Sequence, residues 1–304
     1  MLPNPLRSTR ISANQYIETG DIVSCKVIVN RDSGNCARLD LDRLLTLLDC
    51  KDAQIVNIDS STDWTADEAD TVIVCGGDGT LHNAIEKYPD KQLIYAPCGT
   101  LNETSLTDDV VTTVGNVNGT LFSYVAACGS FTEIGYKANT QSKKRFKSIA
   151  YLPQVLRYYK CHQIHAKLNV DGQSYEDDYT LLMVLKSHRC FGFNFNKAYR
   201  QHKGLYLLAI KSFGRDNVVN RAKMFFPFFR VFFAGASPSV NKHWMLLQFN
   251  SLTVELDEPQ DFCMDGEKRR FEGVLQIREQ SLSKHIPIIK TPICRSKYNK
   301  WANR

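Results

Sequence analysis

The chain has 304 residues, 43% of them hydrophobic and 23% charged, with a formal net charge of +6. That length accommodates two domains of ordinary size, and the composition excludes a low-complexity or disordered chain. No apolar run approaches the ~18–20 residues needed to cross a bilayer, and ten scattered cysteines without a C-x-x-C pair argue for reduced thiols in a cytoplasmic protein.

The N-terminal stretch lacks the apolar core of a signal peptide. Residues 24–29 form a short apolar run that reads as a strand, closed by Asn30-Arg31-Asp32-Ser33-Gly34-Asn35. Leu39, Leu41, Leu44, Leu45, Leu47 and Leu48 then follow a helical spacing. Further strands are expected over residues 54–59, 71–75 and 92–96, with a helix over 81–88. Strands alternating with helices predict an α/β domain with a parallel sheet, whose ligand lies at the carboxyl ends of the strands. The glycine-containing loops at 30–35, 76–80 and 97–102 all fall at such ends, so they are expected to converge.

The central loop, Gly76-Gly77-Asp78-Gly79-Thr80, leads from a strand into a helix. Glycines there leave backbone N–H groups uncovered and tolerate positive φ, and the helix N-terminus favours an anion. A carboxylate beside a phosphate calls for a second role, so Asp78 reads as a magnesium ligand or as a base accepting the proton of an attacking hydroxyl. The blander alternative is a helix cap. No G-x-x-x-x-G-K-[ST] loop occurs, so Ser33, Thr80 and Thr100, each beside a glycine, are the hydroxyls available to phosphates.

Four motifs in order resemble the diacylglycerol kinase catalytic family, the soluble bacterial-type lipid kinases related to sphingosine and ceramide kinases. They are Asn30-Arg31-Asp32-Ser33-Gly34, Gly76-Gly77-Asp78-Gly79-Thr80, Pro97-Cys98-Gly99-Thr100-Leu101-Asn102-Glu103 and Met264-Asp265-Gly266-Glu267. The resemblance runs from about residue 24 to 290. It implies an ATP-binding α/β domain over 1–119, joined by a C-terminal return at 287–304, and a mainly-β, sandwich-like lipid-substrate domain over 120–286. It carries nucleotide contacts onto Asn30, Arg31, Asp32, Ser33, Gly34, Gly76, Gly77, Asp78, Gly79, Thr80, Leu81, Gly99, Thr100, Asn102 and Asp265. Its base maps onto Glu267. Asp78 is assigned to magnesium or its water shell and Glu267 to the lipid hydroxyl; the reverse assignment stays open. ATP and Mg2+, a lipid substrate, peripheral contact with an anionic membrane and a homodimer are the associated expectations. NAD kinase activity, or a catalytically silent regulatory or nucleic-acid-binding protein, are the alternatives, although no nucleic-acid module is recognisable.

The chain also departs from the family pattern. Arg31 replaces a proline, and His82-Asn83 stand where members carry an acid after the central loop, so an ion pair built on that acid is lost. Only about eleven residues link the second and third strands, which leaves one face of the sheet thinly covered. Lys203-Gly204 occupies the place of an Asp-Gly pair that holds a structural magnesium in some members, so that metal is not expected.

Charge is unevenly divided. Residues 1–133 carry 9 Lys/Arg against 19 Asp/Glu, and residues 134–304 carry 29 against 13. A basic second half suits phosphate groups or an anionic membrane. The run Lys143-Lys144-Arg145-Phe146-Lys147 is either a headgroup patch or a solvated helix start. Residues 223–234 hold six phenylalanines and read as a buried helix or strand, with a membrane-docking segment as the alternative; Pro227 argues against a straight helix through them.

Overall fold

The computed structural model describes residues 24–50, 52–59, 64, 69–100, 102–133, 159–190 and 192–290. The basic run at 143–147, the helix expected after it and the tail beyond Lys290 lie outside the described residues.

The first unit is a four-stranded parallel sheet in the order β2-β1-β3-β4, with β1 at Cys25–Asn30, β2 at Gln54–Ile58, β3 at Thr71–Gly76 and β4 at Gln92–Pro97. Its central strands are apolar on both sides because both faces are covered. Val27, Val29, Ile73 and Cys75 point to a layer closed by α1 (Leu41–Leu48), which Asp40 caps by accepting the N–H of Arg43. Ile28, Val72 and Val74 point the other way, into a core shared with Leu81, Ala84 and Ile85 of α2 (Asp78–Lys87). Trp64, between β2 and β3, supplies part of the cover on this side. It is buried, meets Tyr88 edge-on at 5.8 Å and lies under the Lys87 ammonium at 5.4 Å.

The second unit is a ten-stranded sheet in which Val110–Val117 (β5), Thr120–Phe122 (β6), Val125–Gly129 (β7), Ile164–Val170 (β8) and Gln173–Leu185 (β9) lead the chain order. The hairpin Arg189–Cys190 (β10) and Phe193–Asn194 (β11) stands apart, and Leu205–Lys211 (β12), Ser239–Val240 (β13), Trp244–Phe249 (β14), Ser251–Met264 (β15) and Glu267–Pro287 (β16) complete the set. The large sheet begins at Val110, so β5 joins it ahead of the 119/120 boundary read from sequence. What a sandwich does with two sheets is done here by one. Leu207 on β12 and Val117 on β5 stand far apart in the strand order but share a buried core, so the sheet curls over on itself. Register shifts at Ile210/Lys211, Leu256/Gln260 and Ser281/Ile286 interrupt the long strands, as curling requires.

The outer face of this sheet carries α4 (Val218–Phe232), capped by Asn217, which accepts the N–H of Asn220. Pro227 does not break it. The helix continues through the proline because Met224, Pro227, Phe228 and Val231 are buried against the sheet, and that packing outweighs one lost backbone hydrogen bond.

The chain then returns to the first unit. Ile288 bridges Tyr95 in parallel, the Ile289 N–H donates to the Tyr95 carbonyl at 2.8 Å, and Ile286, Ile288 and Ile289 enter the two cores of the small sheet.

Candidate active site

The three loops at the carboxyl ends of β1, β3 and β4 meet through side chain and backbone alike. Asn30 donates through Nδ2 to Thr80 Oγ1 at 2.8 Å, which ties the first loop to the second. Asn35 ties the first to the third, its backbone N–H donating to the Cys98 carbonyl at 2.8 Å and its Nδ2 to the Gly99 carbonyl at 2.6 Å. The glycines are there for space. A Cβ on Gly99 would lie 2.6 Å from the Gly77 Cα, and one on Gly34 or Gly76 would collide with the side chains of Thr100 or Thr80 respectively. None of these loop glycines has positive φ, so the expected use of left-handed backbone is replaced by close approach of three loops.

Gly77 is the N-cap of α2 and provides no side-chain cap, so the first turn presents donors and the positive end of the helix dipole toward the loops. Ser33 and Thr100 flank this cradle, Leu81 is buried behind it, and Arg31 and Asp32 are exposed at its edge, the Asp32 N–H donating to Asn30 Oδ1 at 3.0 Å. Asn102 sits in left-handed backbone at φ 51° and donates through Nδ2 to the Gly99 carbonyl at 3.1 Å. Its Oδ1 is buried without a hydrogen-bond partner among the described residues, an acceptor open to a ligand.

Asp78 has a different employment from the one expected. Its carboxylate turns away from the first turn of its own helix and receives the N–H groups of Glu103 at 2.7 Å and Thr104 at 3.1 Å, the first residues of α3 (Glu103–Thr107). It therefore caps the next helix and joins the second loop to the third. Burial raises its pKa to about 6, against the lowering pull of those N–H donors.

Asp265 is saturated as well. Its two oxygens receive the N–H groups of Ser123, Tyr124 and Val125 together with the Ser123 hydroxyl, the last at 2.8 Å. Asp265 and Gly266 have φ of 50° and 100° and form a two-residue hairpin turn pairing Met264 with Glu267, the turn type that favours Asp-Gly. The carboxylate anchors this turn, and the expected nucleotide contact at Asp265 gives way to a positioning role.

Glu267, next in the chain, is exposed, and no hydrogen bond or ion pair engages its carboxylate among the described residues. Its Oε1 lies 3.6 Å from where a Cβ on Gly79 would stand. The hairpin thus places one free carboxylate beside the α2 N-terminus. The described residues form no all-protein cage for magnesium. Both oxygens of Asp78 and of Asp265 accept protein N–H groups, and no cluster of three or more His, Cys, Asp or Glu able to hold a metal occurs among the described residues. A direct bond from Asp78 to magnesium would compete with the cap this carboxylate makes for α3.

His82 fills the position where an acid was expected. It is buried, with Nδ1 at 3.3 Å from Asp265 Oδ2 and Nε2 at 3.6 Å from Glu86 Oε1. Burial alone would depress its pKa, but the hydrogen bond and charge of Asp265, with Glu86, hold it above the ordinary value. The lost ion pair is replaced by one across the two units, and Arg269 adds another to Glu86 at 3.3 Å.

Sequence reasoning missed the partner of Glu103. This buried carboxylate faces Arg189 Nε at 2.6 Å and receives the Gly192 N–H at 2.6 Å, linking the third loop to the β10–β11 hairpin. Burial raises its pKa, opposed by the Gly192 N–H and the arginine. At the far end of α3 the Thr107 hydroxyl meets Ser187 Oγ at 2.9 Å, and the Lys203 ammonium binds the Asp108 carboxylate and the Thr107 carbonyl. Arg189→Met leaves a buried charge with one donor, so it is expected to lower stability by about 2–4 kcal/mol. Chemical denaturation checks this, and a stability equal to wild type would remove the latch role of the pair.

Residues 24–115 match the family model of the diacylglycerol kinase catalytic domain. Among solved structures, a protein of Bacillus anthracis strain Sterne named as a candidate diacylglycerol kinase is 21% identical, aligned over 91% of this chain and 100% of its own, with a TM-score of 0.61. A second from that strain, named a diacylglycerol kinase, is 19% identical over 91% of this chain and 100% of its own, with a TM-score of 0.58. These likenesses concern the two-unit fold. No curated protein matches the chain. Among the described residues no helix is long and apolar enough to cross a membrane.

Proposed function

We propose that this chain, whose residues 24–115 match the model of the diacylglycerol kinase catalytic domain, transfers the γ-phosphoryl group of ATP to the hydroxyl of diacylglycerol or a related lipid. The observation that carries the reading is the free Glu267 carboxylate set beside Gly79 at the anion-binding end of α2.

In this reading the backbone N–H groups of residues 77–79 and the hydroxyls of Ser33, Thr80 and Thr100 hold the phosphates, and the Asn102 Oδ1 accepts a hydrogen bond from the nucleotide. Asp78 and Asn35 keep the three loops at fixed separation, and Asp265, steadied by His82, aims the hairpin. Glu267 then accepts the proton of the lipid hydroxyl as its oxygen attacks the γ-phosphorus and the bond to ADP breaks. Positioning and electrostatics supply most of the rate in such transfers, and a base adds to them.

Incubation with labelled magnesium ATP and either diacylglycerol in mixed vesicles or NAD tests this directly. Label in the organic phase is the expected result. Label in NADP would replace the lipid with a dinucleotide acceptor, and no transfer to either would overturn the proposal.

A further inference from the structure

Helix α4 is apolar on two faces, and the sheet covers only one of them. Met224, Phe228 and Val231 are buried in its core, whereas Phe225, Phe226, Phe229 and Phe233 remain 57%, 71%, 48% and 66% exposed. These four fall on one strip at helical spacing. Their rings form a ladder, with Phe225 stacked on Phe229 at 5.7 Å and Phe229 on Phe233 at 5.2 Å, and exposed Phe193 continuing it at 5.1 Å. A helix apolar all round normally lies inside a protein, and a contiguous exposed aromatic patch of this kind marks a surface that something else covers.

The charges around the ladder say what covers it. The helix bears Arg221, Lys223 and Arg230 and no acid. Arg221 is paired with Asp216, and Arg230 donates to the Gly235 carbonyl at 2.5 Å while staying exposed, so Lys223 and Arg230 are the exposed cations of the helix, and its 3.6-residue period sets both along the Phe226 edge of the strip. Protruding aromatics bordered by exposed cations suit the headgroup layer of an anionic bilayer, where rings enter the acyl boundary and cations meet phosphates.

The position of the ladder fits the same occupant. Phe193 neighbours Gly192, whose N–H holds the Glu103 carboxylate at the head of α3. The ladder therefore ends one residue from the hairpin glycine that binds the side chain of Glu103, the residue following the third loop.

We propose that the Phe225–Phe229–Phe233 ladder, with Phe226 and Phe193, is the surface by which this protein docks on an anionic lipid bilayer, with α4 lying in the headgroup plane. That the docked face also delivers lipid to the cleft rests on the kinase reading; the docking itself does not.

The test is co-sedimentation with vesicles of phosphatidylcholine and phosphatidylglycerol, with pure phosphatidylcholine as the comparison. Wild type is expected to partition onto the mixed vesicles, and the Phe226→Ser/Phe229→Ser double variant to partition at least about tenfold more weakly, since the affinity follows the apolar area inserted. Both positions are exposed, so the double variant should keep the wild-type thermal midpoint and turn over a short-chain soluble diacylglycerol at the wild-type rate. Lys223→Glu, a second variant, should weaken binding to the mixed vesicles and not to phosphatidylcholine alone. Wild type that fails to bind, or a double variant that binds equally well, overturns the proposal. So does a wild-type dimer in light scattering that the double variant dissociates, because a second copy would then be the occupant. Vesicle binding lost in the variant while wild type phosphorylates no lipid supports the docking surface and sinks the kinase reading alone.

Discussion

Glu267→Gln is expected to reduce turnover by roughly 10²–10⁴-fold, the usual contribution of a positioned general base. The side chain is exposed and makes no contact that holds the fold, so the thermal midpoint should stay that of wild type. ATP affinity supplies the discriminating measurement. Phosphates are assigned to backbone donors at the start of α2, and a carboxylate 3.6 Å from the position of a Gly79 Cβ repels them. Removing its charge should therefore leave ATP binding unchanged or make it tighter. A fall in ATP affinity matching the fall in turnover would show that Glu267 serves nucleotide binding, and the base would have to be sought elsewhere.

Asp78→Ala should remove turnover for a different reason, together with a measurable share of the stability. The substitution strands two buried N–H groups, those of Glu103 and Thr104, each costing about 1–3 kcal/mol. It also unties the second loop from the third, so the phosphate cradle loses its spacing. Denaturant titration should show a loss of roughly 2–6 kcal/mol; an Ala variant as stable as wild type would show that the cap is not made.

The pH dependence carries a separate signature. The pKa of Asp78 in the folded chain is raised from 3.8 to about 6, so the native state holds the proton more tightly than the unfolded chain. The stability from this group is fully present below about pH 4 and is lost as pH rises through about 6. Asp78→Asn, which cannot titrate, should lack that part of the decline between pH 4 and 7. Parallel curves for the two proteins would place the shift elsewhere.

Much of this site was legible in sequence because its chemistry is local. Strand, glycine loop and helix follow one another within a few residues at 72–85, and the Asp265-Gly266 turn has its own backbone preference. The convergence of the three loops followed from the parallel sheet, which sets its ligand-binding ends on one side. Other features had no local signal. Arg189 is an arginine in an unremarkable stretch, and nothing near it points to Glu103. His82 looked like the loss of an ion pair, when it contributes one to an aspartate in the other unit. Pro227 argued against a straight helix, but the buried Met224, Phe228 and Val231 decided otherwise.

The motif acids show where the division lies. By itself the sequence determined that Asp78 and Asp265 stand in tight turns, because turn and strand preferences are written in neighbouring residues, and only the family resemblance implied that the two turns meet. Only the tertiary structure decided which of the motif acids is available. Asp78 and Asp265 are satisfied by N–H groups of residues 103–104 and 123–125, and Glu267 is not. A carboxylate's freedom to take a proton depends on the donors packed around it, and distant segments of the chain bring those donors.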